Sequence, residues 1–162
     1  VHADEELASI PVPRSLDERR AYAQDRLETG FQMWLATGSD GHGAHLIPVA
    51  CVWDGSALYT ATFAKSRTVA NVKGHPQARV ALGDTADVVM IDTGASLMNV
   101  PDIDADIAER YAEVSTDPRT HPKGMFVYLR LHPRRILVWN GLHEFAGRTV
   151  MQNGRWLDDP VD

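Results

Sequence analysis

The residues best equipped for chemistry lie in one run of the chain, Leu58-Tyr59-Thr60-Ala61-Thr62-Phe63-Ala64-Lys65-Ser66-Arg67-Thr68. The pattern from Ala57 to Thr62 predicts a strand. Ser66 has the character of a helix cap, for a short helix through Lys73 with Gly74 as its stop and Pro76 as a breaker beyond. A strand that hands over to a helix start presents free backbone amides, and the helix dipole there favours negative charge. With a hydroxyl at Ser66 and cations at Lys65 and Arg67, the segment carries the groups needed to hold a phosphate. A capped helix after a strand is common, so the residues alone favour an ordinary structural role and leave the phosphate site as the alternative.

Other reactive residue types are less promising. The seven His residues lack the helical or hairpin spacing of a metal site. Ser96 has no Gly-x-Ser-x-Gly elbow around it, so a hydrolytic triad has no support. Cys51 alternates with apolar residues and reads as a small core residue. Arg130, Arg134 and Arg135 cluster around His132, but in an apolar-alternating stretch that predicts the solvated face of a strand.

The elements that must position these groups can be read in order. Ser15-Leu16-Asp17-Glu18 has the form of a capping box, which predicts a helix to about Glu28 that stops at Gly30. The period then becomes strand-like: Phe31 to Thr37, a turn over Ser39 to Gly43, and a return strand from Ala44 to Trp53 with Pro48 at a bulge or an edge. Asp54-Gly55 is a hairpin signal leading into the strand before Ser66. Strands follow at Ala78 to Leu82 and about Asp87 to Met98, where Gly94 predicts a bulge or bend. Asp102 and Asp104 precede a helix with Ile107, Tyr111 and Val114 on one face. After a loop over residues 115–124 come a long strand from Met125 to Asn140 and a last hairpin around Asn153-Gly154. Six to seven strands with about three short helices, and no regular strand-helix alternation, predict a mainly β fold, a closed or nearly closed antiparallel barrel. Residues 1–162 read as a single domain, with 1–30 as an N-terminal arm and helix.

Composition narrows the function classes. A hydrophobic fraction of 44% and a charged fraction of 23% are those of a globular protein, with no run long enough for a membrane helix. A net charge of −6 without a basic stripe argues against nucleic acid as a partner. The acidic start, Val1 to Leu7, lacks the basic and apolar regions of a secretory leader, and Cys51 is the lone cysteine; together these predict a cytoplasmic protein.

The ordered set Met33-Trp34-Leu35-Ala36-Thr37, His45-Leu46-Ile47-Pro48-Val49, Val52-Trp53-Asp54-Gly55, Leu58 to Thr62, Lys65-Ser66-Arg67, Asn71-Val72, His75-Pro76 and Arg79 to Leu82 resembles the pyridoxamine-phosphate-oxidase-like split-barrel superfamily. It looks especially like the actinobacterial branch that uses the deazaflavin F-420. The resemblance covers residues 31–100 well and 125–141 more loosely. It implies a homodimer with F-420 or FMN at the subunit seam, and hydride transfer between the cofactor ring and a small-molecule substrate. It places Ser66 and Arg67 on the phosphate grip, Thr62 at a strand end facing the cofactor, and Pro48, Val49 and Ala50 along the ring. Trp139, in Val138-Trp139-Asn140-Gly141, would pack near the ring of the other subunit; its alternative is a core position.

The departures are informative too. Thr68 stands where the oxidases place Lys, leaving Lys65 as a substitute cation, and Leu46 and Cys51 stand where they carry Arg and Lys. Losing three charge-assisted contacts at roughly 1.5–3 kcal/mol each implies a much weaker grip of the oxidase type. Arg130-Leu131-His132 precedes Trp139, whereas the oxidases' pyridoxal-phosphate motif follows that Trp. These differences imply a relative of the oxidase rather than the oxidase itself, with no evident catalytic acid or base. A non-catalytic cofactor- or haem-binding protein and an FMN oxidase of a small amine are the competing readings.

Overall fold

The computed structural model describes residues 10–161, so the acidic start at Val1 to Leu7 lies outside the described residues. Helix α1 (Leu16–Thr29) begins with the expected capping box: Ser15 Oγ accepts from Glu18 N at 3.2 Å and the Glu18 carboxylate accepts from Ser15 N at 2.7 Å. The strands are β1 (Gln32–Ser39), β2 (Gly43–Ala50), β3 (Val52–Trp53), β4 (Leu58–Phe63), β5 (Gln77–Gly83), β6 (Val88–Asn99), β7 (Phe126–Trp139), β8 (Thr149–Gln152) and β9 (Arg155–Trp156). Helix α2 (Arg67–Gly74) follows β4, and α3 (Ala105–Val114) lies between β6 and β7.

Among the described residues nine strands form where six to seven are expected. The return strand breaks at Cys51 into β2 and β3, and the last hairpin supplies two short strands. All pairings are antiparallel, and the main path runs β2-β1-β5-β6-β7-β4-β3. Its two ends, β2 and β3, are separated in sequence only by Cys51, so the sheet curls until its edges meet and β2 lies against β4. Pro48 sits in edge strand β2, opposite Trp34 in an unbroken register, where its missing N–H costs no ladder bond.

The expected irregularity near Gly94 is present, but the extra residue is on the partner strand. Asp92 pairs with Arg135 and Thr93 with Pro133, which bulges Arg134 out of β7. A Cβ on Gly94 would lie 2.9 Å from the Arg134 guanidinium, so Gly94 gives the bulged side chain its room. The basic cluster of the sequence is dispersed accordingly: Arg130 Nε donates to the Tyr59 hydroxyl at 2.8 Å, Arg135 pairs with Asp92 and Arg134 is exposed.

Alternation along the strands builds two cores. Leu35, Leu58, Val80, Ile91, Leu129, Leu131 and Val138 fill the barrel, and Leu16, Ala23 and Leu27 of α1 join them. Tyr59 and Tyr128 point the other way, into a second cluster covered by Ile107 and Tyr111 of α3. Cys51 is fully buried, and desolvation pushes its thiol up to about 12, as suits an inert core residue.

A buried carboxylate ties the periphery together. Glu144, in the turn after β7, accepts from Arg14 N at 2.9 Å, Arg14 Nε at 2.9 Å, Arg14 Nη2 at 2.7 Å and Asn140 N at 3.0 Å. The same guanidinium reaches Asp87 at 2.9 Å, in the turn before β6. Arg14 holds the Glu144 carboxyl down from 4.5 to about 2. Its contribution to stability is therefore complete above about pH 4.5 and is lost as the pH falls towards 2, amounting to about 3 kcal/mol. Glu144→Gln should lose most of that stability at pH 7 and flatten the decline below pH 4.5, as read by urea unfolding at pH 7, 4 and 3.

Candidate functional site

The segment from Thr62 to Thr68 forms the strand end and helix start that its residue types demand. Ser66 N donates to Phe63 O at 2.9 Å, closing a tight turn out of β4, and Ala64 N donates to Met125 O at 2.9 Å. Ser66 is the cap of α2: its Oγ accepts from Val69 N at 3.2 Å and from the Thr62 hydroxyl at 3.4 Å. Both of these bonds use Ser66 Oγ as acceptor, so its own proton is left to donate. Among the described residues the N–H groups of Arg67 and Thr68 have no acceptor, as expected in a first helical turn. Lys65 and Arg67 are exposed, and neither is paired with a carboxylate among the described residues. Two free amides, one free hydroxyl proton and two unpaired cations therefore share one corner.

The helix itself is firmly seated. Val69 and Val72 are buried, and Asn71 Nδ2 donates to Thr37 Oγ1 of β1 at 3.1 Å. Thr68 is buried with them, its Oγ1 without a partner among the described residues. Its backbone amide, rather than its side chain, belongs to the exposed corner.

The remaining expected site residues lie elsewhere. Pro48 is exposed on the outer face of β2, Val49 packs against the barrel core, and Ala50 packs against the cluster beneath α3. Trp139 is half-buried at the end of β7, opposite Val88 and edge-on to Phe145 at 6.2 Å. Phe63, next to Thr62, pairs with Phe126 at the other end of that strand. Within one chain, Ser66 and Trp139 are thus held at opposite ends of β7.

Strand register reveals a feature that motif reading missed. Pro48, Trp34, Ala81, Met90 and Leu137 stand directly opposite one another across β2, β1, β5, β6 and β7, with Trp139 on the same face of β7. All point away from the core; Trp34 is 48% exposed, and neighbouring Leu46 60%. The signal in sequence is that Met33-Trp34-Leu35-Ala36 is apolar on both faces of its strand. Among the described residues, no group of three or more His, Cys, Asp or Glu could hold a metal, and no helix is long and apolar enough to cross a membrane.

A family profile described as pyridoxamine 5'-phosphate oxidase matches residues 21–140. The chain belongs to the pyridoxamine 5'-phosphate oxidase family. Solved structures share the family fold at low identity. A candidate pyridoxamine 5'-phosphate oxidase from Listeria innocua is 22% identical, with a TM-score of 0.60 over 75% of this chain and 98% of its own. An F420 reductase is 18% identical, with a TM-score of 0.55 over 70% of this chain and 94% of its own. A FAD-binding protein from Mesorhizobium loti is 17% identical, with a TM-score of 0.55 over 72% and 88%. No curated protein is similar enough in sequence to match. The family fold thus occurs in proteins that handle flavins and F-420, and the match spans the segment from β4 to α2.

Removing the cap separates its structural part from any binding role. Ser66→Ala should destabilise the protein by about 1 kcal/mol, the usual cost of a lost Ser cap, while Ser66→Asp should restore stability in a chemical-denaturation series.

Proposed function

We propose that this family member is an oxidoreductase that holds F-420 or FMN at the seam of a homodimer, with the anionic tail of the cofactor at the start of α2. The observation that carries this is the corner at Ser66 and Arg67, whose free amides, hydroxyl proton and cations fit a phosphate. When bound, the ring supplies the hydride chemistry; the protein positions it and excludes water. Arg67 and Lys65 neutralise the tail, and the Ser66 hydroxyl and the Arg67 and Thr68 amides orient it. Edge strand β2, with Pro48, Val49 and Ala50, offers backbone groups along the ring.

The outer apolar row supports the homodimer. An apolar stripe crossing five strands, exposed at Pro48 and Trp34 and half-buried at Ala81, Met90 and Leu137, is a natural contact for a second copy. Pro48 lies in that stripe and Trp139 borders it, so a second copy seated there provides a route for the partner's Trp139 to approach the cofactor. The missing third cation at Thr68, whose side chain is buried, favours a looser grip than that of the oxidases.

Titration with F-420 and with FMN, followed by fluorescence, should saturate for at least one of them, and Arg67→Ala should weaken that binding at least tenfold. A flat response to both cofactors rejects the assignment. Saturation without faster oxidation of the reduced cofactor on adding acceptors would instead indicate a non-catalytic holder. Trp34→Glu should convert a dimer to a folded monomer in sedimentation velocity and abolish saturable cofactor binding. A wild-type chain that sediments as a monomer would remove the seam.

A further inference from the structure

A cavity lies away from the corner at α2, and we propose that it is a binding site for a small apolar or aromatic molecule carrying one negative charge. It occupies about 750 Å³, within the range of roughly 300–1,000 Å³ usual for small-molecule sites. One wall is the turn after β6 and the first turns of α3; the other is the segment from Pro118 to Val127. Val100, Pro101, Ile103, Pro118, Pro122 and Phe126 make the lining largely apolar.

The cavity is held open by bonds that do not need a ligand. Asp117 Oδ1 accepts from Arg119 N at 2.9 Å, and the Arg119 guanidinium spans from Asp117 at 2.9 Å to Glu109 of α3 at 2.6 Å. The Thr120 hydroxyl and His121 Nδ1 both donate to Asp117 O, at 2.9 and 3.0 Å. Since a carbonyl only accepts, the His121 ring donates from Nδ1 in this contact. Three prolines in the walls fix their own φ angles, which lowers the ordering cost of binding.

The polar groups choose the ligand class. Arg119 is ion-paired with both carboxylates that anchor the loop, and Asp102 already accepts from Asn99 Nδ2 at 3.1 Å. Lys123 has no carboxylate partner among the described residues and is the cation left to meet a ligand anion. Phe126 contributes an aromatic ring to the wall, with His121 edge-on to it at 5.0 Å. Phe126 also stacks on Phe63 at 4.7 Å, so the cavity shares a wall with the turn that leads to Ser66. The site is formed within one chain and requires no cofactor.

The probe is 1-anilinonaphthalene-8-sulfonate, an aromatic anion of suitable size, titrated into the full chain by fluorescence and calorimetry without flavin or F-420. Lys123→Glu should weaken its binding at least fivefold. Ala105→Trp, which places an indole on the cavity wall at an exposed position of α3, should block the site. Unfolding midpoints and circular dichroism establish that each variant is folded. Wild-type affinity in either folded variant overturns the site, because dye held only on the outer apolar row would ignore both changes. Should Ala105→Trp fail to fold, Lys123→Glu decides alone. Since no cofactor is present, failure here leaves the outcome of the cofactor titration untouched.

Discussion

The crossing at Cys51 is the constraint from which the rest of the architecture follows. Up to Ala50 the chain is paired with β1; from Val52 it is paired with β4. One fully buried residue, whose N–H donates to Phe31 O at 3.0 Å, carries the backbone between the two ends of the sheet. A small side chain fits there because the surrounding interior is close-packed and a bulkier one would wedge the edges apart. This closure places β2 beside β4, and the chain leaving β4 turns directly into the capped start of α2. The corner rich in free donors is thus a product of how the barrel shuts.

What could be read in the sequence was what depends on neighbours a few residues apart. The capping box at Ser15, the caps at Ser66 and Asp104, and the Asn153-Gly154 turn, with both residues at positive φ, are local chemistry. Ser66 and Arg67 were legible for the same reason. The change of partner at Cys51, the bulge at Arg134 and the inward turn of Thr68 were not, since each is decided by strands and helices far away in sequence. Arg14, Asp87 and Glu144 make the same point: the Arg14 contacts span 73 and 130 residues, and no periodicity announces them. The outer apolar row requires the register of five strands before it exists at all.

The two outward apolar regions are treated differently by the fold. Beneath α3, Tyr59 and Tyr128 are covered by Ile107 and Tyr111 within the same chain. Across β2, β1, β5, β6 and β7 no helix of the described residues plays that part, and Trp34 and Leu46 stay accessible. Arg79, Asp92 and Arg135 form an ion-paired strip beside the apolar row, giving it a polar border like the rim of an association surface.

Arg14 lies outside every helix and strand, yet it joins three separate parts of the molecule. Ile10 to Pro13, just before it, are exposed. Those four residues therefore contribute little packing, whereas loss of Arg14 strands a carboxylate that has no access to solvent. Among the described residues, the folded body thus begins at that guanidinium, two residues ahead of the first helix.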